Sequence, residues 1–265
     1  MVKLLVTDLD NTLLRRDKTV SDFTLDVLAN CRQQGVKLAI ATGRPPRTTK
    51  PFMDLILAEA MICHNGTVVE IGEQRTQCCG IDPAETRRIM QALVAAFPGG
   101  MLSVEIDDIL YANFDVGLIW NMTEAISTDF SDLPCKPADK IIVSISGAED
   151  VQRIAECITD ELYLEVVDGH LCMILHKDAE KMQGVKMLAT GWGIDPEQIV
   201  AFGDGINDVG MLTGCGWGIA VANAVPEAQE AADYLCADCD EDGLAHWICE
   251  HILKLSSSVL DGEKM

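Results

Sequence analysis

The stretch Val2-Lys3-Leu4-Leu5-Val6-Thr7, followed at once by Asp8-Leu9-Asp10-Asn11-Thr12, decides how the rest of the chain is read. A short apolar run that ends in an acidic loop is the pattern of a strand buried on both faces of a parallel sheet. The loop puts two carboxylates two residues apart, and if the extended spacing persists both side chains point the same way. Asp and Asn are common in strand-end loops, which explains one such residue well and a run of them poorly. Carboxylates this close repel unless a cation sits between them.

The pattern around this stretch alternates β and α. Ser21 is placed to cap a helix running to about Gln34, with Gly35 at its stop. Val36 to Ala41 reads as a second buried strand, and Thr42-Gly43-Arg44 sits just past its end. A helix follows Pro45-Pro46, then a strand at Met61 to Cys63. His64-Asn65-Gly66-Thr67 reads as a hairpin turn, because Asn-Gly tolerates positive φ. From Asp82 the rhythm changes: a capped helix to about Phe97 is followed by strand pairs around Asp107-Asp108 and Asp168-Gly169-His170, the pattern of a separate α+β unit. Alternation returns with a helix from about Glu180 to Thr190 and a strand at Ile199–Phe202. Asn207 is read as capping the next helix, Gly218–Val221 as a strand, and Leu255 to Met265 as a polar tail. The predicted fold class is α/β, a Rossmann-like parallel-sheet core (1–81 and 179–265) interrupted by an α+β insertion (82–178).

In open α/β sheets, ligands bind beyond the carboxyl ends of the strands. Three such ends carry Asp8/Asp10, Thr42 and Gly203-Asp204-Gly205-Ile206-Asn207-Asp208. The last cluster alone is a glycine-rich loop. Paired with the first it resembles an oxygen-ligand site for Mg²⁺, which takes one or two carboxylates and keeps several waters.

Asp8-Leu9-Asp10-x-Thr12, Ala41-Thr42-Gly43-Arg44 and Gly203-Asp204-Gly205-x-Asn207-Asp208, in this order, resemble the haloacid dehalogenase (HAD) superfamily, specifically its Cof-type (subclass IIB) phosphatases. The insertion falls where that subgroup carries a large α+β cap (C2B type), so the resemblance implies a catalytic core closed over by a cap. It also implies a Mg²⁺-dependent phosphatase in which Asp8 attacks phosphorus and Asp10 exchanges protons with the leaving oxygen and with water. Thr42 and Lys181 would hold the transferring group, with Lys181 preferred over Lys177 and Lys186 by its place at a helix start. Asp8, the Asp10 carbonyl and Asp204 would ligate the metal, while Asp208 would orient a metal-bound water. Gly43, Arg44, Asn65 and Asn207 would face the substrate, a small phosphorylated metabolite, with sugar phosphates the first expectation. Two positions depart from the subgroup, Asn11 and Met182 standing where glycine is usual. Asparagine tolerates the left-handed backbone.

The same aspartyl-phosphate would serve a phosphotransferase or phosphomutase, so that alternative stays open. A receiver-like module phosphorylated on a strand-end Asp would lack the second carboxylate of Asp8-x-Asp10. A silent phosphometabolite binder has no need of the intact catalytic set. The chain has 265 residues and a formal charge of −22, from 42 acidic against 20 basic residues. Such a field repels phosphate backbones and anionic lipid, so nucleic-acid and membrane partners are not expected. Eleven cysteines without a leader pattern read as reduced thiols of a cytoplasmic protein. Cys236-x-x-Cys239 without a second pair reads as packing rather than zinc.

Overall fold

A computed structural model describes residues 1–120 and 124–253; the predicted tail at 255–265 lies outside them. The backbone forms two compact units, Met1–Thr76 with the chain from Glu180 onward, and Gln77–Ala179.

The first unit opens with β1 (Leu4–Thr7), α1 (Asp22–Gln33), β2 (Lys37–Ala41), α2 (Pro46–Ile56), β3 (Ala60–Cys63), β4 (Val68–Ile71) and β5 (Gln74–Gln77). The second unit holds α3 (Pro83–Ala96), β6 (Leu102–Ile106), β7 (Ile109–Ala112), α4 (Val116–Trp120), β8 (Ile126–Ser127), β9 (Lys140–Ser144), α5 (Ala148–Ala155), β10 (Leu162–Val167) and β11 (Leu171–His176). The chain then completes the first unit with α6 (Lys181–Trp192), β12 (Ile199–Gly203), α7 (Val209–Gly214), β13 (Trp217–Val221), α8 (Pro226–Ala231), β14 (Tyr234–Cys236) and α9 (Gly243–Ile248).

The main sheet runs β14-β13-β12-β1-β2-β3-β4-β5, parallel from β14 to β3 and antiparallel at β3–β4. This is the α/β class expected from the sequence. Alternation along each strand supplies two cores. Leu5, Leu38, Ile40 and Phe202 pack with α1 and with Leu244 and Trp247 of α9, while Leu4, Val6, Ala39 and Ile62 pack with Val185 and Leu188 of α6. Burial on both faces is what makes β1, β2, β3 and β12 largely apolar runs in sequence.

Local signals explain the helix starts. The Ser21 side chain accepts from Thr24 N at 3.0 Å. Asp82 accepts from Ala84 N at 2.8 Å and Glu85 N at 3.3 Å, ahead of Pro83 at the first helical position. In the second unit the sheet runs β10-β11-β9-β6-β7-β8. Its β6–β7 pair turns through Asp107 (φ 56°) and Asp108 (φ 63°), as a two-residue hairpin with both central residues left-handed requires. Leu102, Val104, Ile141, Val143, Cys172 and Ile174 pack beneath α3 and α5, giving this unit its own core. No described helix is long and apolar enough to cross a membrane.

One local expectation is corrected, and one strand had no signal in the sequence. Asn207 does not cap α7: it lies inside a 3₁₀ turn (Ile206–Asp208), and its amide donates to Asn65 Oδ1 at 3.1 Å. The edge strand β14, three residues long with Tyr234 and Leu235 exposed, carries no periodic signal that would have marked it.

Candidate active site

β12, β1, β2 and β3 are neighbours in the sheet, so the residues following them gather along one rim. Asp8 follows β1, Thr42 follows β2, His64-Asn65-Gly66 follows β3 and Asp204 follows β12. Lys181 is the first residue of α6.

The chain leaves β1 and turns back at once. Leu13 N donates to Asp8 O at 3.3 Å, and Leu14 N to Leu9 O at 2.7 Å. Asn11 takes φ 60°, the left-handed backbone that a glycine or asparagine accepts most readily. The extended spacing therefore stops at Asp8, and the two carboxylates find different partners. Asp8 is buried, and its Oδ1 accepts from Lys181 Nζ at 2.6 Å. Asp10 is half-buried; Arg44 donates to it twice, Nε to Oδ2 and Nη2 to Oδ1, both at 2.6 Å, and Lys18 Nζ reaches Oδ1 at 2.7 Å.

Lys181 is 1% exposed and also donates to Asp208 Oδ1 at 2.6 Å. The Asp208 Oδ2 accepts from the backbone N–H groups of Asp204 and Gly205, both at 2.9 Å. Both oxygens of Asp208 are thus engaged in holding the lysine and the loop. This fold-back explains Gly203: a Cβ there would lie 2.5 Å from Asp208 Cβ. Asp204 Oδ1 accepts from Thr12 Oγ1 at 2.8 Å, which ties the first acidic loop to the last.

Thr42 is buried, and its Oγ1 accepts from Arg44 N at 3.2 Å, leaving the hydroxyl hydrogen to an incoming acceptor. Asn65 N donates to Thr42 O at 3.0 Å, and the Asn65 Oδ1 lies 3.2 Å from where a Cβ on Gly43 would stand. Asn65 takes φ 56° and Gly66 φ 107°. A Cβ on Gly66 would sit 2.2 Å from Glu180 O, so only glycine lets this turn seat against the start of α6. All ten residues singled out in the sequence lie in the first unit, on this rim or at the start of α6. Of the other lysines considered, Lys177 pairs with Glu161 at 2.8 Å in the second unit, and Lys186 is exposed on α6.

The electrostatics divide the two carboxylates further. Burial pushes the Asp8 carboxyl well above the ordinary range, Lys181 pulls it down, and the charges of Asp208 and Asp204 push it up again. Asp204 is pushed up to about 6, by burial first and then by Asp208. Burial alone would lower Lys181, but Asp208 and Asp8 more than reverse this and hold it above the ordinary lysine value. One ammonium among three carboxylates is oversupplied with negative charge, whereas each carboxylate is undersupplied with positive charge. Asp10 is the opposite case: burial works against its charge, but the hydrogen bonds and charges of Arg44 and Lys18 prevail and hold it below the ordinary value.

Carboxylate oxygens of Asp8, Asp204 and Asp208 lie within 4.8 Å of one another. An all-oxygen donor set with an uncompensated negative charge suits a hard divalent cation such as Mg²⁺. A second acidic group, Asp238-Cys239-Asp240, is already engaged. Arg16 donates to both oxygens of Asp238 (2.7 and 2.8 Å) and to Asp240, and burial first, then the charge of Asp238, pushes the Cys239 thiol up to about 11.

Residues 5–248 match the family model of the haloacid dehalogenase-like hydrolases. The chain belongs to this family. Over 263 residues the hydrolase is 26% identical to 5-amino-6-(5-phospho-D-ribitylamino)uracil phosphatase YitU of Bacillus subtilis (strain 168), across 94% of this chain and 97% of that one. It is 25% identical over 274 residues to pyridoxal phosphate phosphatase YbhA of Escherichia coli (strain K12), across 95% and 99% of the two chains. The solved structure of the HAD subclass IIB sugar phosphatase BT4131 superposes on it with a TM-score of 0.82 at 23% identity, covering 94% of this chain and 98% of that one.

Three contacts were not read from the sequence: Lys18 on Asp10, Thr12 on Asp204, and Asn223, whose Nδ2 donates to Asn11 O at 2.7 Å. Thr12 belonged to a recognised motif. Lys18 and Asn223 had no pattern to mark them.

Proposed function

We propose that this hydrolase is a Mg²⁺-dependent phosphatase that hydrolyses small phosphate monoesters through an aspartyl-phosphate on Asp8. The observation that carries the reading is the buried Asp8 carboxylate, one oxygen of which is fixed by Lys181 at 2.6 Å. A carboxylate held at one oxygen is an oriented nucleophile, and its other oxygen is the attacking atom. Asp8, the Asp10 carbonyl and Asp204 would hold the Mg²⁺, which when bound would neutralise phosphate charge and let an anionic nucleophile approach.

In the first step an Asp8 oxygen bonds to phosphorus, the bond from phosphorus to the alcohol oxygen breaks, and Asp10 gives that oxygen its proton. In the second, water attacks phosphorus, Asp10 takes the water's proton, and the Asp8 carboxylate is released with inorganic phosphate. Lys181 and the Thr42 hydroxyl stabilise the charge on the transferring group. Asp208 orients Lys181 and the Asp204 loop, and Gly43, Asn65 and Asn207 would face the phosphate from the rim.

A general acid must carry a proton, yet Asp10 is paired with two cations. The substrate phosphate resolves this, because it is the competing partner for the Arg44 guanidinium. As Arg44 turns to phosphate, Asp10 loses its bidentate partner and its proton affinity rises.

The second unit would act as the cap that contacts the leaving group. Sugar phosphates remain the first substrate expectation, in keeping with relatives named for phosphorylated ribityl and pyridoxal compounds. Eleven cysteines, read as reduced thiols, suit work in the reducing cytoplasm. The test is p-nitrophenyl phosphate hydrolysis with Mg²⁺, with EDTA, and for Asp8→Asn with Mg²⁺. The reading requires turnover only in the first case. A wild type that stays silent with Mg²⁺, or an Asp8→Asn variant that keeps its rate, would refute it.

A further inference from the structure

We infer that Lys18 reads a negative charge on the leaving alcohol, so that this site takes phosphate monoesters of hydroxy acids in preference to those of neutral alcohols. The inference rests on the phosphatase reading above, and it narrows the sugar phosphates expected there to sugar-acid phosphates.

Lys18 stands at the tip of a tight turn. Its N–H donates to Arg15 O at 2.9 Å, Arg15 N donates to Thr19 O at 3.0 Å, and Lys18 itself takes φ 67°. A lysine at positive φ is uncommon and is held there by its surroundings. The surroundings are the two arginines before it. Arg15 Nη2 binds Asp242 Oδ2 at 2.6 Å, Arg16 binds both oxygens of Asp238, and Arg16 N binds Asp240 Oδ1 at 2.9 Å. Both guanidinium groups are used to fasten the turn, so its remaining cation is the one delivered to the site. The neighbouring Asp17 does not neutralise it, because the Asp17 carboxylate is turned to Thr19 N (3.0 Å) and Thr19 Oγ1 (2.6 Å).

The ammonium meets Asp10 Oδ1 at 2.7 Å, on the same oxygen that accepts from Arg44 Nη2 at 2.6 Å. Two cations on one carboxylate leave a local surplus of positive charge, in a chain whose formal charge is −22. The three cations of the site differ in freedom. Lys181 is 1% exposed at its side chain, Arg44 24% and Lys18 50%. Arg44 has the transferring phosphate as its competing partner. Lys18 has two further N–H donors and a flexible stem, beside the carboxylate that protonates the leaving oxygen. An anionic group on the first carbons of the leaving alcohol is the partner its charge and place select.

The test uses two esters that differ in one group, sn-glycerol 3-phosphate and 3-phosphoglycerate, in which a hydroxymethyl is replaced by a carboxylate. We would measure kcat/KM for both with Mg²⁺, for wild type, Lys18→Met and Lys18→Arg. Wild type is expected to favour the acid, Lys18→Met to lower the acid-to-alcohol ratio about tenfold, and Lys18→Arg to keep most of it. A wild type without preference for the acid overturns the inference. So does a Lys18→Met variant in which both esters fall equally, the result if Lys18 served only Asp10. Turnover of p-nitrophenyl phosphate by the same wild-type sample separates the two failures: if it is absent the phosphatase reading falls, and if it is present the ratio judges Lys18 alone.

Discussion

Replacing Lys181 with methionine should cost the folded protein about 4 kcal/mol at pH 7, and the loss should shrink in acid. Methionine keeps the length and the apolar stem of the buried side chain, so what is removed is the ammonium that Asp8 and Asp208 share at 2.6 Å each. Asp208 is fully buried and Asp8 nearly so. Removing one partner of a buried ion pair typically costs about 3–5 kcal/mol, because the remaining charge is left uncompensated. The variant's cheapest escape is to protonate one of the two carboxylates. Holding a proton at pH 7 on a group whose ordinary value is near 4 costs roughly 1.36 kcal/mol per unit, or about 4 kcal/mol over three units. The two routes agree in magnitude.

The sign follows from counting protons. In the folded state a proton on a carboxylate replaces the one on the lysine, whereas the unfolded variant binds one proton fewer than the unfolded wild type, so its stability relative to wild type falls as pH rises. The loss relative to wild type should therefore be about 2 kcal/mol smaller at pH 5.5 than at pH 7, in the window between the unfolded carboxylate value and the raised folded one. Urea unfolding at the two pH values measures this, followed by tryptophan fluorescence, since Trp247 is buried against Phe202 at 5.6 Å between ring centroids. A loss below about 1 kcal/mol, or one that does not change with pH, would refute the claim that this lysine compensates Asp8 and Asp208 together.

Two further predictions bear on the same rim. Asp204, pushed up to about 6, contributes stability that is present below its unfolded value near 4 and lost as pH rises through about 6; Mg²⁺ should replace the missing charge, so the rise in Tm on adding it should be larger at pH 7.5 than at pH 5, and equal shifts would count against this metal site. Gly66→Ala should destabilise by about 3 kcal/mol or more, from a positive φ and a Cβ 2.2 Å from Glu180 O, and should lower kcat because the displaced backbone precedes Lys181; a variant with wild-type stability would show that the turn gives way freely.

Residue order revealed what depends on local chemistry. Asp8 and Asp10 announced themselves because a buried parallel strand is a continuous apolar run that stops where the sheet stops. Asn65-Gly66 announced a turn because few pairs accept two positive φ values. The placement of Asp8, Thr42 and Asp204 on one rim followed from parallel strands whose carboxyl ends share an edge. What stayed hidden depends on contacts between distant segments. The fold-back after Asp8, which gives the two carboxylates different partners, is fixed in part by Asn223 on Asn11, 212 residues away. Lys18 reaches Asp10 because Arg15 and Arg16 are fastened to Asp238–Asp242, and nothing in the run Arg15-Arg16-Asp17-Lys18 says which cation will face the site. Asn207 looked like a helix cap because capping is the commonest use of an asparagine before a helix; a partner on another loop took its amide instead.

The separation of Asp8 from Asp10 gives the site its two halves of opposite charge. Asp8, Asp204 and Asp208 surround one ammonium, so this half is short of positive charge; burial first, and then the neighbouring carboxylates, raise the proton affinities of Asp8 and Asp204. Asp10 shares two cations, Arg44 and Lys18, so the other half has positive charge to spare, which its lowered proton affinity expresses. On the function proposed above, a divalent cation would satisfy the first half and an anion the second, and a metal-bound phosphate ester would be both at once. Neither half would keep its charge for long in water without the other, since a carboxylate cluster would collect protons and a cation pair would find surface acids in so acidic a chain. The loop that turns back after Asp8 gives its carboxylate and that of Asp10, two residues on, different partners: Lys181 for Asp8, and Arg44 with Lys18 for Asp10.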